Sequence, residues 1–196
     1  MALYFGIRRR MMKEKFLLDP SIIFLNHGSF GACPAEVFEV YQSWQREMEK
    51  NPVEFLGRRS AGLLHASRSV LADYIGTQPE ALIYVPNATT AVNTIARSLP
   101  LEAGDQILTS DQEYGACNHA WEFVCRQTGA QYLTRQIPLP FQAGEFADRL
   151  WEGVTSRTRI IYLSHITSTT GILFPVEDVC RRARAAGICT VIDGAH

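Results

Sequence analysis

Four clusters of polar and small residues follow apolar runs in this sequence, and each carries a group able to do chemistry. Pro86-Asn87-Ala88-Thr89-Thr90 offers a hydroxyl and, where a helix starts there, free backbone N–H groups aimed at an anion. Ser110 to Gly115 brings two carboxylates and the ring of Tyr114. Ser164-His165-Ile166-Thr167-Ser168 adds hydroxyls and an imidazole, and Asp193-Gly194-Ala195-His196 adds a carboxylate and a second imidazole. Each group also has a plainer reading. Asn87 or Thr89 serves as a helix N-cap, Asp193 caps a following turn, Tyr114 is a core aromatic, and Ser168 and His196 are polar groups satisfied within turns.

The phosphate chemistry that these clusters suit is narrowed by what the sequence lacks. There is no G-x-x-x-x-G-K-[ST] loop and no G-x-G-x-x-G fingerprint, and lysine occurs only at Lys13, Lys15 and Lys50. Pyridoxal phosphate is the remaining phosphate-bearing cofactor that fits. A carboxylate at a buried strand end is costly unless paired. Asp193 beside a pyridine nitrogen would keep that nitrogen protonated, and the protonated ring is an electron sink for a carbanion. Tyr114 is then placed to stack on the ring, and Ser168 and His196 to hydrogen-bond its hydroxyl.

The elements that must position these groups alternate. Apolar runs at Leu82–Val85, Gln106–Thr109, Gln131–Thr134, Arg159–Leu163 and Cys189–Ile192 read as strands. Helical stretches near 89–98, 117–128, 145–154 and 176–186 separate them. This alternation predicts an α/β fold with a parallel sheet, whose ligands bind at the carboxyl ends of the strands. The four polar clusters follow four of the five strands. Upstream the pattern is helical: Val37, Tyr41, Trp44 and Met48 form one apolar face of a helix opened by Pro34, Asn51-Pro52 breaks it, and a second helix runs from about Arg58 to Tyr74 with Gly76 as its stop. Residues 1–15 read as an N-terminal tail or a mis-assigned start, 16–75 as an N-terminal segment with two helices, and 76–196 as the first part of a cofactor-binding domain.

Composition sets the remaining bounds. The 196 residues are 46% hydrophobic and 20% charged with net charge −1, an ordinary globular balance that argues against a nucleic-acid-binding domain. No apolar run approaches the length of a membrane helix and the first residues do not form a secretory signal, so a cytoplasmic protein is expected. Cys33, Cys117, Cys125, Cys180 and Cys189 are odd in number without a C-x-x-C pair, as expected of reduced, mostly buried thiols rather than a disulfide or metal framework.

From Phe16 to the last residue the chain resembles class V aminotransferase-like pyridoxal-phosphate enzymes, and within them the isopenicillin N epimerase-like branch. The resemblance is carried by Phe24-Leu-Asn-His-Gly-Ser-Phe-Gly31, Val85-Pro-Asn-Ala-Thr-Thr-Ala-Val-Asn93, Glu113-Tyr-Gly-Ala116, Leu163-Ser-His-Ile-Thr-Ser168 and Val191-Ile-Asp-Gly-Ala-His196, in one order with compatible spacing. It implies a three-layer α/β/α sandwich of fold type I, incomplete at its C-terminus. It implies that Ala88 and Thr89 hold the phosphate, Tyr114 stacks on the ring, Asp193 pairs with the pyridine nitrogen, and His196 sits near the ring hydroxyl. Ser168 falls where relatives place a polar ring contact, often Asn. Asn26, His27 and Gly28 match the segment that reaches toward the substrate, with His27 equally readable as a loop histidine without a ligand, and Arg58 and Arg59 stand as a carboxylate or phosphate clamp or as a solvated helix start. The family's Schiff-base lysine lies downstream of the Asp193 position and is absent here.

The expected function is therefore the N-terminal part of an enzyme acting at the α-carbon of an amino acid, as an epimerase, aminotransferase or cysteine-type lyase, homodimeric at full length. The alternative is a non-catalytic remnant that binds a cofactor or partner. The chain alone is expected to be inactive. In the family's sheet the first strand pairs with strands that come last in the chain, so Leu82–Val85 is expected to lack a partner.

Overall fold

Side chains alternate across each strand, and here both faces are apolar, so the sheet must be covered on both sides. A computed structural model describes residues 12–196. Residues 1–11, most of the expected N-terminal tail, lie outside the described residues. The parallel strands are β1 (Gln106–Ser110), β2 (Gln131–Arg135), β3 (Thr158–Ser164) and β4 (Cys189–Asp193), in the order β2-β1-β3-β4. Ile107, Ile160, Tyr162 and Val191 point to one face, where Val92, Ala96, Cys117, Trp121 and Val124 cover them. Leu108, Ile161 and Leu163 point to the other, packing with Phe146, Leu150, Phe174 and Val179.

The covering helices follow from the same alternation. On the first face lie α3 (Ala88–Ser98) and α4 (Gly115–Thr128), and on the second lie α5 (Ala143–Trp151) and α6 (Val176–Ala185). The result is the expected three-layer α/β/α arrangement. Contacts divide the chain into a unit ending at Tyr84 and a unit Val85–His196 that contains the whole sheet.

At Leu82–Val85 the expected strand does not form, while the expectation that this segment lacks a partner holds among the described residues. Its backbone is extended, with Leu82 at φ −109° and ψ 137°, but it joins no ladder among the described residues. An extended segment becomes a strand only when a neighbour takes its N–H and C=O groups. Here the contacts are lateral: Arg68 reaches the Leu82 carbonyl at 3.4 Å, and the hydroxyls of Ser67 and Tyr84 lie 2.7 Å apart.

Upstream, α1 (Ala35–Lys50) follows Pro34 as expected. The second helix starts earlier than its periodicity indicates. The Asn51 side chain accepts the Glu54 N–H at 3.1 Å, a π-helical turn runs Phe55–Arg59, and α2 (Ser60–Ile75) continues to Gly76. Gly76 takes φ +73°, a left-handed cap that costs any residue with a Cβ. Of the five cysteines only Cys117 and Cys125 are buried; Cys33 and Cys189 are exposed and Cys180 is intermediate, so the expectation of mostly buried thiols does not hold.

Candidate active site

Two strands and a helix meet around one acidic side chain. Asp193 is the last residue of β4, aligned with Ser164 at the end of β3, and the His165 N–H donates to its carbonyl at 2.8 Å. Its carboxylate is buried. The Tyr162 hydroxyl donates to Oδ2 at 3.3 Å and the Cys117 thiol donates to the same oxygen at 3.7 Å. The Ala195 N–H donates to Oδ1 at 3.1 Å, so the turn-capping reading of Asp193 is realised. An ionised carboxylate has about four acceptor positions. These donors occupy three, two on Oδ2 and one on Oδ1. The position left on Oδ1 can take one further donor, so capping and cofactor binding are compatible.

The α3 start offers free donors to an anion. Asn87 caps it, its side chain accepting the Thr90 N–H at 2.8 Å, and its carbonyl accepts the Ala91 N–H. The Ala88 and Thr89 N–H groups precede any intrahelical acceptor and have none among the described residues. The helix that this turn opens packs through Val92 and Ala96 into the same apolar cluster as Cys117. Phosphate-sized and pyridine-sized groups thus have complementary partners within the same unit, and the residues present fit pyridoxal phosphate.

Tyr114 precedes α4, its carbonyl accepting the Cys117 and Asn118 N–H groups at 3.0 Å each. Its side chain is 46% exposed, which removes the core reading and leaves the ring free to stack on a ligand. The neighbouring Glu113 is the residue that the sequence reading passed over. It is buried, its Oε1 accepts from the Ser110 hydroxyl at 2.5 Å, and its Oε2 accepts from the Ser164 N–H at 2.6 Å. Glu113 therefore ties the end of β1 to the end of β3, one residue before Tyr114. Burial pushes its carboxyl above the usual range, partly offset by the two serine donors, and Asp193 adds a like charge. The legible signal was the Ser-x-x-Glu spacing from Ser110.

The other expected residues are less constrained. Ser168 and His196 are exposed, and among the described residues neither side chain has a hydrogen bond that fixes it. Ser168 lies in the turn where the Thr167 and Thr170 hydroxyls meet at 2.6 Å. Asn26, His27 and Gly28 belong to the unit ending at Tyr84. There the Asn26 carbonyl accepts the Phe30 N–H at 3.1 Å, and the His27 ring packs edge-on against Phe24 at 4.7 Å and tilted against Phe16 at 5.5 Å. Arg58 and Arg59 are ion-paired with Glu54 and Glu47, each at 3.0 Å. Among the described residues no group of three or more His, Cys, Asp or Glu side chains is arranged to hold a metal, and no helix is long and apolar enough to cross a membrane.

Comparison with known proteins places this geometry. The aminotransferase class-V family model matches residues 23–196. The chain belongs to that family, whose members use pyridoxal phosphate, and its fold is fold type I. It is 40% identical to isopenicillin N epimerase of Streptomyces clavuligerus, over 94% of this chain and 46% of that protein. It is 30% identical to a probable cysteine desulfurase of Xylella fastidiosa, over 89% of this chain and 43% of that protein. The fold matches a C-DES variant with glycine covalently linked to its PLP cofactor, at TM-score 0.85 and 22% identity, covering 94% of this chain and 49% of that one. It also matches the Escherichia coli cysteine desulfurase CsdA at TM-score 0.78 and 22% identity, covering 93% of this chain and 47% of that one. The chain spans about half the length of the relatives it matches.

Proposed function

We propose that this chain is the N-terminal part of a pyridoxal-phosphate enzyme that acts at the α-carbon of an amino acid. The observation that carries the reading is the buried Asp193 carboxylate, with its one open acceptor position, in the same unit as the Ala88 and Thr89 N–H groups that have no acceptor among the described residues. When bound, the cofactor supplies an electron sink for the bond broken at the α-carbon. Ala88 and Thr89 hold its phosphate through two N–H groups and a hydroxyl. Asp193 holds the proton on the pyridine nitrogen, since a neighbouring carboxylate favours the charged ring. Tyr114 orients the ring by stacking and excludes water from one side of it. Ser168 and His196 serve the ring hydroxyl, and Asn26, His27 and Gly28 the substrate.

The likeness to the Streptomyces epimerase favours epimerisation over transamination or cleavage of a cysteine derivative. All three begin with loss of the α-proton. Lys13, Lys15 and Lys50 all lie outside Val85–His196. The chain alone is therefore proposed to bind the cofactor without turnover, and the working enzyme to be a homodimer.

Two measurements test this. Equilibrium dialysis of the chain against pyridoxal phosphate should show saturable binding. Thr89→Val should weaken it by about 1–3 kcal/mol as a buried phosphate oxygen loses its donor. Joined to the C-terminal half of the Streptomyces epimerase, the chain should exchange the α-proton of an amino acid in heavy water, followed by proton NMR. Asp193→Ala should retain cofactor in that chimaera and lose the exchange. A soluble, cofactor-loaded chimaera that exchanges no amino acid would overturn the α-carbon reading.

A further inference from the structure

Beneath Asp193 lies a pair of buried protic groups that the proposed chemistry does not itself use. Cys117, in the first turn of α4, and Tyr162, inside β3, are both 0% exposed. They come from different layers to the same atom, Oδ2, at 3.7 Å and 3.3 Å. The Tyr162 ring is held against Trp121 at 5.6 Å between centroids. Burial raises both the thiol and the phenol above their ordinary values, so both remain protonated donors across the physiological range. The Glu113 carboxylate also faces the group from the turn after β1.

Resting on the reading of Asp193 as the ring-nitrogen partner, we propose that Cys117 and Tyr162 are positioning residues that saturate Oδ2 and so leave Oδ1 as the oxygen offered to the pyridine N–H. Two donors on one oxygen lock the carboxylate's rotation. An ordinary buried cysteine needs no such contact, and a core tyrosine at this position is otherwise an avoidable polar group.

The test is titration of the Asp193 side-chain carboxyl by carbon-13 NMR in the full chain without cofactor. Tyr162→Phe and Cys117→Ala should each raise its midpoint, and the double variant should raise it by about one pH unit, tenfold in acid constant. Cys117→Ser keeps a donor and should recover most of the cysteine effect. Tyr132→Phe is the structural control. It deletes another partly buried phenol, bonded to Asn118 at 2.6 Å, and should leave the Asp193 midpoint unmoved. If Tyr162→Phe fails to fold, the Cys117→Ala and Cys117→Ser pair makes the same comparison. Folded variants with a wild-type midpoint would overturn the proposal.

A second readout separates it from the reading it rests on: the ring nitrogen-15 shift of labelled pyridoxamine phosphate bound to the chain. If Asp193→Asn leaves that shift unchanged, the ring-nitrogen assignment falls and the proposal with it. If Asp193→Asn moves it while Tyr162→Phe and Cys117→Ala move neither the shift nor the midpoint, only the positioning role falls.

Discussion

The two units of the chain are built to different standards. Among the described residues up to Tyr84, Ala72 alone is buried, and Val37, Tyr41, Trp44, Val70 and Tyr74 are exposed. The unit Val85–His196 encloses two apolar clusters, one on each face of the sheet. The chemistry divides accordingly. Thr89, Asp193, Cys117 and Glu113 inherit their positions from a core that fixes helices against strands. Asn26, His27 and Gly28 depend on a local turn and two ring contacts. Under the proposed function, phosphate and ring partners set by packing tolerate little displacement, whereas a segment held by local contacts opens at lower cost.

The largest expected effect tests that contrast directly. Trp121→Ala, at a fully buried position, should cost about 3–5 kcal/mol in urea unfolding followed by circular dichroism. Trp44→Ala deletes the same side chain where it is 43% exposed and should cost about 1 kcal/mol or less. Equal losses would mean that the first unit carries more of the fold than its burial indicates.

Two glycines give a finer comparison at matched backbone geometry. Gly76 and Gly129 end α2 and α4 at φ +73° and +78°. A Cβ at Gly76 meets open space, so Gly76→Ala should cost about 1–2 kcal/mol from the left-handed conformation alone. At Gly129 the added carbon would stand 3.0 Å from the Ala103 Cβ and 3.3 Å from its Cα. Gly129→Ala should therefore lose more than Gly76→Ala in the same unfolding assay. The reverse order would show that the loop at Ala103 yields freely.

The smallest effect is a pH dependence confined to the second unit. Burial raises the Glu113 carboxyl above its unfolded value of 4.5, so the folded state binds that proton more tightly. The stability this contributes is complete below the unfolded value and is lost as pH rises through the folded one. In Glu113→Gln the amide can donate to the Ser110 hydroxyl while its oxygen accepts the Ser164 N–H. The variant should therefore gain on the wild type as pH rises from 5 to 8, read as the difference between their urea midpoints. A difference that stays constant with pH would show that Glu113 does not titrate in this range.

Much of the second unit was legible because its signals are local. Each apolar run from Gln106 onward became a strand within a residue or two, and Gly76 ended its helix as its backbone freedom suggests. Leu82–Val85 has the same composition and did not pair, because a ladder is a property of two segments and one of them is not in the local sequence. Tyr114 shows the same limit at the level of one side chain. Its type permitted either core or ligand contact, and only its position at the rim of the sheet decided for exposure.

The sequence by itself determined the alternation of strand and helix, the polar strand ends and the family motifs, since these depend on residue type and spacing along one chain. Only the tertiary structure decided which groups share an atom. Cys117, Tyr162 and Asp193 are separated by up to 76 residues and meet at one carboxylate oxygen. Glu113 crosses from β1 to β3 to reach Ser164. Such meetings follow from strand order and register, which place the ends of distant segments side by side, and no spacing along the chain encodes them.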